Sequence, residues 1–356
     1  MSAALQGIFV PNITPYHADG TLNEGELRKI VSWLIDKGVS GIFPNGSLGE
    51  FIRLSFEERK RVISIIADEV DGRIPILAGA AEPNADLVLE MCHHCADLGC
   101  RAVSITGPYY FKPSQESIEA YFQDLAERSP IDIVIYNIPT LASEISVPVL
   151  TRLALEYPRI IGTKDSSADM CRFLHVMNAI KPTRPDFSVM VGWEELLVPT
   201  MMMGGDGGTV STAGVAPEVI MKIYNDCVAG NWERAKDYQY KLLELFQIMI
   251  TAKNFPTGFR LGYEARGFSP GGVRFPNAPS EVKDLKAIGD KIACLLSDCG
   301  LGDLAQSCPI PDFAAQATYS PASRPPTQSQ APSQAGGVNP SDVEEIVRKV
   351  MRNLNK

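Results

Sequence analysis

Eight short apolar runs, each followed by an amphipathic stretch, succeed one another between Gly7 and about residue 230 of this 356-residue chain. They are Gly7 to Asn12, Gly41 to Pro44, Ile74 to Ala78, Ala102 to Ile105, Ile131 to Tyr136, Ile160 to Lys164, Ser188 to Gly192 and Gly208 to Ser211. Runs this short, bounded by turn residues, predict buried strands. Between them, Glu24 to Lys37, Ser55 to Val70 and Ala85 to Leu98 carry helical periodicity, and Ser55-Phe56-Glu57-Glu58 has capping-box spacing. Eight strand-helix units predict an α/β fold, the (β/α)8 TIM barrel, whose typical length is about 250 residues. A doubly wound sheet would also alternate strand and helix, but no GxGxxG turn follows the first strand to favour it.

The rest of the chain divides by composition. Residues 1–230 are expected to form the barrel and 231–308 a helical appendage that includes the apolar run Leu242 to Ile250. Pro, Ser, Gln, Ala and Gly dominate residues 309–340, the composition of a flexible linker with a reach of roughly 30 Å. Residues 341–356 regain helical periodicity. Val343, Ile346, Val347, Val350, Met351 and Leu354 make one apolar stripe, opposite Glu344, Glu345, Arg348, Lys349 and Arg352. A free helix this short is marginal, so the stripe is expected to bind a partner.

Charge and cysteine usage exclude several classes. A formal net charge of −9, with no block rich in Lys or Arg, argues against nucleic acid. No apolar stretch approaches the roughly 20 residues that span a bilayer, and the first residues do not read as a secretory signal, so a cytoplasmic protein is expected. Eight cysteines without regular spacing fit reduced thiols. Cys92-His93-His94-Cys95 suggests zinc, but these residues fall inside the helical stretch Ala85 to Leu98, whose stripe of Leu87, Val88, Met91, Cys95 and Leu98 accounts for them as packing.

Chemistry concentrates at two strand ends, Tyr136-Asn137-Ile138-Pro139 and Gly162-Thr163-Lys164-Asp165-Ser166. Barrel active sites lie at the C-terminal ends of strands, so Lys164 and Tyr136 are brought to one mouth. A primary amine attacks a ketone only when neutral, a form that burial favours, and a phenol can exchange protons with the departing oxygen. A third strand end, Pro44-Asn45-Gly46-Ser47-Leu48-Gly49-Glu50, supplies a glycine turn whose backbone N–H groups and Ser47 hydroxyl could hold a carboxylate.

With these motifs, and with Pro108-Tyr109-Tyr110 between them, residues 5 to 300 resemble the pyruvate-dependent class I aldolase superfamily of dihydrodipicolinate synthase and N-acetylneuraminate lyase. The resemblance implies that Lys164 forms a Schiff base with pyruvate or a 2-oxo acid, that Tyr136 is the acid/base, and that Ser47 and the Leu48 amide grip the carboxylate. It places Val210 in the pyruvate pocket and sends Tyr110 into the site of a neighbouring subunit, which implies a homo-oligomer, dimer or tetramer. The synthases usually carry a second hydroxyl residue where Leu48 stands, and an Arg where this chain has Thr140-Leu141-Ala142. Those differences resemble the lyase and sugar-acid aldolase branches. So does Gly192-Trp193-Glu194-Glu195, where the sialic-acid lyases hold sugar hydroxyls with an acidic pair; Ser166 and Ser211 would add hydroxyls.

The activity implied is cleavage of a 4-hydroxy-2-oxo acid into pyruvate and an aldehyde, with no cofactor or metal. Dehydration of a 2-keto-3-deoxy sugar acid, dihydrodipicolinate synthesis and a catalytically silent scaffold stay open as alternatives. The linker and terminal helix resemble the encapsulation peptides that load cargo into bacterial microcompartments, which would make a shell protein or a co-cargo enzyme the tail's partner.

Overall fold

The computed structural model describes residues 5–301, apart from 277, 279, 280 and 283. Eight strands carry the fold: β1 (Gly7–Pro11), β2 (Gly41–Phe43), β3 (Leu77–Gly79), β4 (Ala102–Thr106), β5 (Ile133–Asn137), β6 (Ile160–Asp165), β7 (Ser188–Val191) and β8 (Gly207–Gly208). They pair in parallel in the order β2-β1-β8-β7-β6-β5-β4-β3. A parallel bridge between Ile42 and Ile76 joins the two ends, giving a nearly closed barrel.

Helices α1 (Glu24–Asp36), α2 (Phe56–Val70), α3 (Ala85–Asp97), α4 (Gln115–Arg128), α5 (Val147–Glu156), α6 (Met170–Ile180), α7 (Leu197–Met202) and α8 (Pro217–Val228) fill the crossovers. Their starts are set by local chemistry. Ser55 and Glu58 exchange hydrogen bonds with each other's backbone N–H groups at the head of α2, and Asn23, Ser114, Ser146 and Asp169 cap α1, α4, α5 and α6.

Side-chain alternation along the strands sorts the apolar residues into two clusters. Phe9, Phe43, Leu77, Ala102, Val134, Ile161 and Met190 form the inner one, while Ile8, Val10, Ile42, Val103, Ile133, Ile135 and Val189 face the helices. One irregularity matters for the site. Between β5 and β6 the register shifts, so that Ile133 pairs with Ile160 but Val134 with Gly162. The extra residue sets Lys164 directly opposite Tyr136, on the inward face.

Two expected strands move. The third begins at Leu77 rather than Ile74, because Pro75 has no N–H to give a ladder and contributes only its carbonyl, which accepts from Ile42. The eighth is only Gly207–Gly208, and Ser211 already starts a 3-10 turn.

Helices α9 (Trp232–Thr251), α10 (Thr257–Ala265) and α11 (Leu285–Asp298) follow, and belong to one compact unit with the barrel. They are not merely appended. Leu242, Leu245, Phe246, Met249, Phe259, Tyr263, Ile292 and Leu296 are continuous with the barrel's outer core.

Six described cysteines are free, while Cys294 is disulfide-bonded, which corrects the expectation of thiols throughout. Cys92 and Cys95 are buried, and the His94 ring lies within hydrogen-bond distance of Ser64 and the Lys60 carbonyl. No group of three or more potential ligands for a metal occurs among the described residues. No described helix is long and apolar enough to cross a membrane. The linker and the stripe from Val343 to Leu354 lie outside the described residues.

Candidate active site

Lys164 and Tyr136 end neighbouring strands and are only 4% and 6% exposed. The Lys164 Nζ sits 4.1 Å from the centre of the Tyr136 ring and 4.6 Å from that of Phe43, which meets Tyr136 edge-on. Among the described residues no carboxylate forms an ion pair with Lys164, so aromatic faces are its immediate surroundings. The Ser166 hydroxyl lies 3.4 Å from the Tyr136 oxygen as a donor.

The two strand ends are locked by their next residues. Asn137 donates to Asp165 at 3.1 Å and accepts from the Ile145 N–H, and Asp165 also receives the Arg172 guanidinium at 2.7 Å. Gly192, at the end of β7, donates its N–H to the Asp165 carbonyl. A Cβ there would lie 2.7 Å from Lys164 Cε and 2.0 Å from Ser166 Oγ, so the amine's space depends on glycine.

Around this pair lies a cavity of about 280 Å³ lined by Ser47, Leu48, Tyr136, Lys164, Ser166, Gly192, Glu194 and Ser211. Eight of the expected site residues are therefore brought together. The other three are not. Val210 is fully buried in the core and does not line the cavity. Glu195 is outside the lining, because its carboxylate accepts from Trp193 Nε1 and Gln247 Nε2, both at 2.8 Å. Tyr110 is 91% exposed, with φ of +76°, and packs edge-on against Phe111.

The structure adds Pro11, Ile138, Thr140, Leu141 and Trp193, together with Phe246 and Ile250 from α9 and Phe255 from the loop between α9 and α10. The sequence offered one signal for the last group, the apolar run Leu242 to Ile250. The face it turns to the cavity is a tertiary property.

Glu194 is buried, and its Oε1 accepts from the Thr212 N–H at 2.8 Å. Burial pushes its carboxyl up to about 7, against that hydrogen bond and the nearby Lys164 charge. The folded chain thus keeps a proton that the unfolded chain releases in the ordinary carboxylate range. Stability contributed by this proton is complete below that range and is lost as pH rises through about 7. The loss is on the order of 3 kcal/mol. Glu194→Gln, which cannot titrate, is expected to flatten the fall in urea midpoint between pH 5 and 8, about the span of the shift. An unchanged slope would assign the dependence to another group.

Residues 4–294 match the model of the dihydrodipicolinate synthetase family. An uncharacterized DapA-like lyase of Pyrococcus horikoshii is 36% identical, over 74% of this chain and 91% of its own. A probable 2-dehydro-3-deoxy-D-pentonate aldolase of Escherichia coli is 30% identical, over 83% and 97%. Among solved structures, YagE of E. coli K12, a prophage protein of the dihydrodipicolinic acid synthase family in complex with pyruvate, superposes with a TM-score of 0.77. It is 28% identical, over 83% of this chain and 99% of its own. The chain belongs to the dihydrodipicolinate synthetase family, and is an enzyme of the Schiff-base, class I aldolase and lyase type.

Proposed function

We propose that the protein splits a 4-hydroxy-2-oxo acid into pyruvate and an aldehyde. The observation that carries this reading is the Lys164 amine, buried and unpaired with any described carboxylate, 4.1 Å from the Tyr136 ring centre. The amine adds to the C2 ketone, and Tyr136 donates its hydroxyl proton to the departing oxygen so that water leaves, giving an iminium beside a phenolate. Tyr136 takes the C4 hydroxyl proton as the C3–C4 bond breaks, and the bonding pair moves into the iminium to form an enamine. The aldehyde departs; protonation at C3 and hydrolysis then release pyruvate and regenerate Lys164. Ser47 and the Leu48 amide hold the carboxylate in the turn after β2, and Ser166, Ser211 and Glu194 supply polar contacts near the reacting carbons.

The names of relatives support the class: the E. coli pentonate relative is a probable aldolase, and YagE was solved with pyruvate. Dihydrodipicolinate synthesis is disfavoured because Leu141 and Leu48 stand where its carboxylate-binding and relay groups would be. The working unit is a dimer or tetramer. Tyr110, with its side chain out in solvent and its backbone in a region costly for a bulky residue, would enter a second copy; its exposure, with that of Phe111 beside it, supports this reading. The apolar stripe of residues 341–356 recruits this unit to a microcompartment shell or co-cargo enzyme, where released aldehyde would be retained. Fusing residues 309–356 to a fluorescent protein tests that last reading, since a diffuse signal in cells assembling shells would sink it.

The test of the function is borohydride reduction of the full-length protein with pyruvate, followed by peptide mapping. A stable adduct on the Lys164 peptide is expected. Product analysis with a 4-hydroxy-2-oxo acid then separates cleavage, which gives free aldehyde, from dehydration, which does not.

A further inference from the structure

The cavity lining combines polar and apolar side chains, and their balance bears on which aldehyde is released. Ser47, Tyr136, Lys164, Ser166, Glu194 and Ser211 supply polar groups beside the amine. Ile138, Leu141, Trp193, Phe246, Ile250 and Phe255 make an apolar wall, to which Thr140 adds a hydroxyl. Trp193 stands edge-on to Phe246 with ring centres 5.5 Å apart, and Phe255 meets Phe259 at 5.9 Å, so these rings are fixed by packing.

The Trp193 indole and the neighbouring Glu195 carboxylate are already paired. Trp193 Nε1 donates to Glu195, and the other Glu195 oxygen accepts from Gln247. A polyhydroxylated tail would surrender more water than the Thr140 hydroxyl along that wall could replace. A second acidic group would fare worse, since Lys164 is the only cationic side chain lining this cavity among the described residues. An adjoining cavity shares Ser47, Ile138, Leu141 and Phe255 and continues over Phe51, Ile52 and Tyr109. Its one cation, Arg53, is held 2.5 Å from Glu50.

Resting on the Schiff-base reading above, we infer that the aldehyde half of the substrate is uncharged and apolar, an aliphatic chain or an aromatic ring. Sugar-acid aldehydes and aldehydes bearing carboxylate or phosphate are then poor partners. Thr140 and Glu194 remain to bind the single C4 hydroxyl.

The experiment runs the reaction in the condensation direction with the full-length protein, pyruvate and four aldehydes: hexanal, benzaldehyde, glyceraldehyde and succinic semialdehyde. The better of the two apolar aldehydes is expected to exceed both polar ones in kcat/KM by about 10- to 100-fold, the ratio that burial of one apolar side-chain equivalent supplies. Leu141→Arg, which places a cation in the apolar wall, is expected to raise succinic semialdehyde relative to hexanal by at least about 10-fold. Borohydride trapping of pyruvate is run on both proteins. An adduct on Lys164 with equal use of all four aldehydes, or with glyceraldehyde or succinic semialdehyde preferred, overturns this inference and leaves the Schiff-base reading standing. Absence of any adduct on the wild-type chain overturns that reading and this inference with it. If Leu141→Arg traps pyruvate but keeps the wild-type preference, the wall does not set specificity and the inference also fails.

Discussion

Lys164→Ala is expected to abolish both the borohydride adduct and aldehyde release, while Tyr136→Phe keeps the adduct at long incubation and loses about 10²- to 10⁴-fold in kcat. The lysine loss is complete because no other amine among the described residues lines the cavity. The tyrosine loss has the size of one general acid/base. Phenylalanine preserves the ring against which Lys164 Nζ rests at 4.1 Å, and the edge contact with Phe43, so the packing of the amine is held constant. What disappears is the hydroxyl beside Ser166 Oγ. Circular dichroism and single-turnover trapping check that the fold and the amine survive. If Tyr136→Phe cleaves within about threefold of wild type, well below the acid/base range, the proton acceptor is another group, and Glu194 is next to test.

The parts of this site legible in the sequence share one physical property: they follow strands whose burial leaves little freedom. β5 opens on Ile133-Val134-Ile135 and β6 on Ile160-Ile161, so Tyr136-Asn137 and Lys164-Asp165 could be assigned to strand ends without knowing the fold. The glycine turn from Gly46 to Glu50 was legible for the same reason, since β2 is short, apolar and abruptly terminated. Direction was harder to read than position. Glu194 and Glu195 are adjacent in a 3-10 turn, where one residue's step rotates the side chain by about a third of a circle. One carboxylate therefore lines the cavity and the other braces Trp193 and Gln247. Val210 shows the same limit. Strand β8 ends at Gly208, so its side chain turns into the core instead of the mouth. The wall from Phe246, Ile250 and Phe255 could not be read because their partners are tens to hundreds of residues away, and nothing local distinguishes a helix face that packs on a core from one that closes a cavity.

Glu50→Ala is expected to destabilise the protein by about 3 to 5 kcal/mol, the usual consequence of stripping one partner from a buried ion pair. Glu50 and Arg260 are each 2% exposed, and they join the turn after β2 to α10 across 210 positions of sequence. Arg260 donates to the Glu50 carboxylate from Nε at 3.1 Å and again from Nη2, and its remaining donors reach the Pro270 and Thr14 carbonyls at 2.7 Å. The carbonyls satisfy its geometry but not its charge, so removing the carboxylate leaves a cation in a dry site. Glu50 also accepts from Arg53 at 2.5 Å, and Arg53 in turn donates to the Phe255 carbonyl. The same carboxylate thus ties the turn carrying Ser47 and Leu48 to the loop that presents Phe255 to the cavity. Its loss is expected to raise the pyruvate concentration needed for half-maximal trapping as well as to lower the urea midpoint. Adding Arg260→Met to Glu50→Ala removes the stranded cation and should recover stability without restoring pyruvate binding. Should the single variant unfold within about 1 kcal/mol of wild type, the pair behaves as a solvated surface bridge and gives the turn no rigidity.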